Sequence, residues 1–203
     1  KMPKLKSFYP YLVAFILFIV IAYAYFPALF EGKIVMQSDI SSWRGAANEI
    51  IQFREQTGEE PLWTNSMFSG MPTTMISTEY KGNYLKNVYD GLFVGPRPAS
   101  YLILGFVSFY LLLLAFGVNP WLSIVGALAF GFCSYNFQIL QVGHNAKMVA
   151  ISLMPMVLAS VVFAFRKKRW LGAVFFGITL AFQIMANHPQ ITYYLAFIVL
   201  FYG

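Results

Sequence analysis

Residues 98–143 carry no Asp, Glu, Lys, Arg or His. One helix needs roughly 20 apolar residues to cross a bilayer, so an uncharged run of this length must hold two crossings. The rest of the chain agrees. Hydrophobic residues make up 59% and charged residues 11%, against about half and about a quarter in soluble domains. The expected fold class is therefore all-α, a polytopic helical membrane protein. Spans are expected at about residues 9–30, 98–116, 121–137, 148–165, 170–186 and 191–203. The first is expected to remain rather than be removed as a signal peptide. Its apolar run exceeds the roughly 7–15 residues of a signal core, and Tyr25-Phe26-Pro27 is no small-residue cleavage site.

Charge is segregated along the chain. All eight acidic residues fall within residues 31–97, a polar segment between the first span and the rest. The basic excess that gives the formal charge of +6 lies mainly at Lys1, Lys4 and Lys6 and at Arg166-Lys167-Lys168-Arg169. Both clusters adjoin apolar spans, which makes them topology signals rather than a nucleic-acid surface. Four spans separate them, so both lie on one side, and the positive-inside rule makes that side cytoplasmic. The segment 31–97, the Gly143–Lys147 connection and the Asn187–Gln190 connection then share the external face, and with them both histidines. The lone cysteine, Cys133, falls in an apolar helix and forms no intrachain disulfide.

Within the large loop, residues 41–56 read as an amphipathic helix. Trp43, Ala46, Ala47, Ile50 and Ile51 recur at helical spacing, with Arg44, Asn48, Glu49, Gln52 and Glu55 largely on other faces. Such a helix is expected to lie along the membrane surface, apolar side down. A second short helix is expected around residues 80–89. Gly117-Val118-Asn119-Pro120 reads as a turn, and Gly126 and Gly131 as points of close helix packing.

A span followed by a large loop with Asp39 close behind it, then Pro61-Leu62-Trp63 and Gly70-Met71-Pro72, resembles the GT-C class of membrane glycosyltransferases. Gly143-His144-Asn145-Ala146-Lys147 and His188-Pro189-Gln190-Ile191-Thr192-Tyr193-Tyr194 narrow the likeness to the YfhO family of bacterial membrane proteins. That family is longer, so the chain looks like an amino-terminal portion. The resemblance implies a GT-C-like transmembrane domain in the bacterial cytoplasmic membrane. It also implies transfer of a sugar from a polyprenyl-phosphate donor to a cell-envelope polymer or lipid acceptor on the outer face. Asp39 matches the position of the catalytic base. Ile40 follows it, so the paired acidic residues of some GT-C members are absent, and a divalent metal is not supported. No cofactor is expected, and the expected partners are the lipid-linked donor, the acceptor and membrane lipids, with no nucleic acid.

The chemistry of the residues is compatible. A carboxylate takes the proton of an acceptor hydroxyl as it attacks the sugar, and the departing phosphate needs cationic or hydrogen-bond partners. Lys147, His144, His188 and Gln190 are the candidates for the phosphate, and Trp63 and Tyr193 for stacking on the sugar or lining the lipid groove. Each has a plainer alternative. Asp39 caps the loop helix, Lys147 and His144 are ordinary polar groups at a helix end, His188-Pro189 is a turn and helix start, and Trp63 is an interfacial anchor. Two other function classes stay open: a transporter or flippase of a lipid-linked precursor, and a non-catalytic membrane assembly subunit.

Overall fold

A computed structural model describes residues 8–33, 35–80 and 82–202, so the three N-terminal lysines of the topology argument lie outside the described residues. The chain is mostly helical. The first helix, α1 (Tyr9–Tyr25), ends because Phe26 precedes Pro27 and is driven out of helical geometry, to φ −117° and ψ 63°. A 3-10 turn over Pro27–Glu31 follows, where a longer span was expected from the sequence. The loop helix α2 spans Ser38–Thr57 and closes at Gly58, whose φ of +71° fits a left-handed helix end. A two-residue hairpin pairs β1 (Trp63–Thr64) antiparallel with β2 (Met71–Pro72), and a short helix α3 covers Leu85–Asp90.

The bundle then runs α4 (Ala99–Phe116), α5 (Pro120–Gly131), α6 (Ser134–Val142), α7 (Asn145–Arg166), α8 (Arg169–Met185) and α9 (Pro189–Tyr202). The turn expected after α4 is present. Gly117 ends α4 at φ +86°, and the Asn119 side chain accepts the Trp121 amide at 2.9 Å with Pro120 at the first helical position. By length and composition α4 and α7 are apolar enough to cross a membrane, and α5 with α6 make a third candidate bent by 44°. The remaining apolar helices, α1, α8 and α9, are shorter, at 17, 17 and 14 residues.

The sequence placed one straight span at 121–137 and a polar break at 138–147. Instead the chain breaks at Phe132-Cys133 and stays helical through most of the second stretch. Cys133 is thus an exposed residue at the break and not inside a helix. Asn136 explains the geometry. Its buried amide donates to the carbonyls of Phe130 (3.0 Å) and Gly131 (3.2 Å), at the end of the interrupted helix. Satisfying such carbonyls is what lets a helix break at membrane depth.

The core lies between α4 and α7, with α5 and α1 on α4 and α8 on α7. Phe106, Leu102, Ala150 and Leu153 are fully buried there. In a lipid setting, close packing rather than expulsion from water holds such helices together. Gly131 lies so close to the Phe106 ring, and Gly126 to Leu113, that neither has room for a β-carbon; both are close-packing glycines as expected. Ser152 donates to the Tyr101 carbonyl at 3.3 Å across the α4–α7 contact.

In the loop, residues 60–79 are tied across α2. Glu49 accepts from the Thr64 hydroxyl (2.5 Å) and the Asn65 amide (3.0 Å). Arg54 makes a two-pronged pair with Glu60 (2.8 and 2.7 Å) and reaches Glu79 at 3.3 Å. Ser66 donates to the Ala46 carbonyl, and the Trp43 indole to the Ile76 carbonyl. Ala47 and Ile50 are therefore buried by the protein itself, while Trp43 and Phe53 stay partly exposed. Part of the apolar stripe thus packs within the loop, and the exposed Glu49 also anchors the hairpin.

Candidate functional site at the loop–bundle junction

The N-terminal end of α2 is fastened to the corner between α6 and α7. Gln37 donates to the Leu140 carbonyl at 2.6 Å and exchanges hydrogen bonds with Asn145, side chain to side chain, at 3.1 Å in each direction. Ser38 donates to the Val142 carbonyl at 3.2 Å. Gly143 makes this approach possible. Its φ of +106° is a left-handed conformation, and an added β-carbon would sit 3.0 Å from that of Gln37 and 3.3 Å from that of Asp39.

This fastening sets Asp39 beside His144. The Asp39 Oδ2 and His144 Nδ1 atoms are 3.2 Å apart, with both side chains about half exposed. Asp39 does not cap α2: the cap position is Gln37, which makes no side-chain cap bond, and Asp39 sits within the first turn. Its carboxylate instead meets the imidazole at the start of α7.

A cavity of about 430 Å³ opens here, lined by Asp39, His144, Lys147, His188, Trp43 and Arg97 among others. Four of the sequence candidates thus converge although they derive from three separate stretches. Lys147 lies in the first turn of α7, where the helix dipole disfavours a cation and favours an anion. Its ammonium is 5.2 Å from the centre of the Tyr135 ring. His188 precedes α9, and its Nδ1 atom is buried with no hydrogen-bond partner among the described residues. Burial, followed by the charge of Lys147, holds its imidazole below the ordinary value of 6.5.

The other candidates lie elsewhere. Trp63 is on β1, its ring against Gly70 and its surface largely exposed. Gln190 donates to the Tyr194 hydroxyl at 2.8 Å, and Tyr193 packs edge-on against Phe197 at 4.7 Å; neither lines the cavity. Arg97 is the residue that sequence reasoning missed. It borders both this cavity and an adjoining one of about 310 Å³ that also holds Arg44, Gln37 and Asn145. Its place directly before Pro98, at the entry to the uncharged run, was the available signal. Among the described residues no three His, Cys, Asp or Glu side chains group as metal ligands.

Compared with models of known protein families, with curated proteins and with solved structures, the chain matches none of them. The likeness to the YfhO family rests on the short motifs quoted above.

Proposed function

We propose that this chain carries the catalytic end of a membrane glycosyltransferase of the GT-C kind, using a polyprenyl-phosphate sugar as donor and a cell-envelope acceptor. The observation that supports it most is the Asp39–His144 pair at 3.2 Å in a cavity that also receives Lys147, His188 and Arg97. In this reading His144 donates its Nδ1 proton to Asp39 and fixes the carboxylate. The free carboxylate oxygen takes the proton of the acceptor hydroxyl as that oxygen attacks the sugar carbon. The bond from sugar to phosphate breaks, and its electron pair leaves on the phosphate. Lys147 and Arg97 balance that charge, aided by the amide groups at the start of α7.

Two features of the bundle weigh on the competing readings. Charged side chains in α4 to α9 are confined to first and last turns, whereas transporters place ionisable groups at mid-membrane depth. A purely structural subunit gives no reason for a half-exposed carboxylate, two cations and two imidazoles to share one cavity.

The deciding measurement is sugar transfer by Asp39→Asn in the full protein with a polyprenyl-phosphate sugar. Asn retains an oxygen that accepts from His144, so folding and donor binding are expected to persist. Transfer is expected to fall roughly a hundred- to ten-thousand-fold. Asp90→Asn, which removes the exposed pair with Lys86, is expected to transfer normally. Parental transfer by Asp39→Asn would mean that the base is another group.

A further inference from the structure

At the opposite end of the bundle from Asp39, a third cavity of about 410 Å³ lies between α4, α7 and α8. Its wall is apolar, with Leu111, Leu114, Met156, Phe163 and Phe175 among the lining groups. The two hydroxyls in the wall are already satisfied. Ser160 bonds the Val157 carbonyl at 2.6 Å and Thr179 the Phe175 carbonyl at 2.8 Å, and the two lie 3.3 Å apart. Water needs two to four polar partners to occupy a site, so this cavity suits an apolar occupant.

One charged group, Lys167, lines the cavity. It belongs to the run Arg166-Lys167-Lys168-Arg169. Arg166 is folded back onto Phe116, with its guanidinium 5.1 Å from the ring centre and 3.3 Å from the carbonyl. Among the described residues none of these four cations pairs with a carboxylate. All eight carboxylates of the chain lie in residues 31–97, the segment that forms the other end. A dry apolar slot beneath an unneutralised cation matches a molecule with an apolar tail and an anionic head.

We propose that this cavity is a binding site for an anionic phospholipid, with one acyl chain between α4, α7 and α8 and the headgroup phosphate on Lys167. The proposal rests on the helices crossing a membrane and is independent of sugar transfer. Basic residues at a membrane surface each attract anionic lipid by about 1 kcal/mol; reversing one both removes an attraction and adds a repulsion.

The test is native mass spectrometry of the purified protein in micelles containing phosphatidylglycerol and phosphatidylcholine with identical chains. The protein is expected to retain one phosphatidylglycerol in preference to phosphatidylcholine. Lys167→Glu is expected to lower that preference roughly tenfold. Leu114→Trp, which fills the cavity without touching the charge, is expected to abolish retention of either lipid. Lys86→Gln, at the loop end, is expected to change nothing. Equal retention of the two lipids would overturn the proposal, as would unchanged selectivity in Lys167→Glu. So would the absence of retained lipid in the parent, or a second protein chain seated there instead. Should Lys167→Glu fail to fold, Lys167→Gln with the same readout decides the matter at smaller amplitude.

Discussion

His188 illustrates how one side chain is tuned by its surroundings. Burial of the ring and, next, the nearby Lys147 ammonium oppose protonation, so the ring stays neutral at pH values where a free imidazole charges. We expect nuclear magnetic resonance to place its midpoint below 6.5. In Lys147→Gln the midpoint is expected to rise without reaching the free value, because burial, the larger cause, remains. The sign for stability follows. The folded state binds this proton less readily than the unfolded chain, so the contribution is complete above the unfolded value and is lost as pH falls through the folded one. A His188 midpoint at or above that of a free imidazole would contradict the surroundings described.

At the scale of elements, the loop helix shows both what a sequence discloses and what it hides. Its 3.6-residue period grouped Trp43, Ala46, Ala47, Ile50 and Ile51 on one apolar face, of which Ala47 and Ile50 are buried and Trp43 is exposed. The same period could not say what covers them, because the cover comes from residues 60–79, where no regular pattern exists. Glu49 lies off the apolar face as its spacing suggests and is exposed, yet it also accepts two hydrogen bonds from the hairpin. Long-range polar partners leave no periodic trace. Ile50→Glu is expected to expose the loop to limited proteolysis severely, as burying an unpaired carboxylate there is costly. Glu49→Gln, which retains an acceptor but loses its charge, is expected to loosen the hairpin to a lesser and measurable degree. Proteolysis of Glu49→Gln at the parental rate would show that the two hairpin bonds contribute nothing. The broken span was hidden for a similar reason. Phe132 and Cys133 break no rule of composition, and the bracket that holds the break, Asn136, is identified only by where its amide points.

Taken as a whole, the molecule keeps its acidic side chains to one end of the bundle, where basic ones accompany them. The segment that carries its acids gathers at the end where α4 and α7 begin, and the Arg166–Arg169 run sits at the other end. The helical class and the convergence of the two histidine-bearing connections were legible because hydropathy and span counting are global patterns. The partners within the site were not, since Arg97, Gln37 and Asn145 are isolated polar residues whose meeting depends on packing. The side of the membrane on which each end lies is open to direct measurement. With a cysteine at Asn83 a membrane-impermeant thiol reagent is expected to label intact cells; with one at Lys168 it is not. The reverse pattern would invert the orientation and place the Asp39 cavity on the cytoplasmic side.

The reciprocal amide bond between Gln37 and Asn145 joins residues 108 positions apart. A ribosome extending a chain at about 5–20 residues per second takes roughly 5–20 s to cover that distance. When α2 is complete, the corner that fastens it does not yet exist. Assembly of the Asp39–His144 pair therefore follows that of the loop, which must first stand undocked, held by its own internal bonds such as the Arg54 pairs and the Trp43 indole on Ile76.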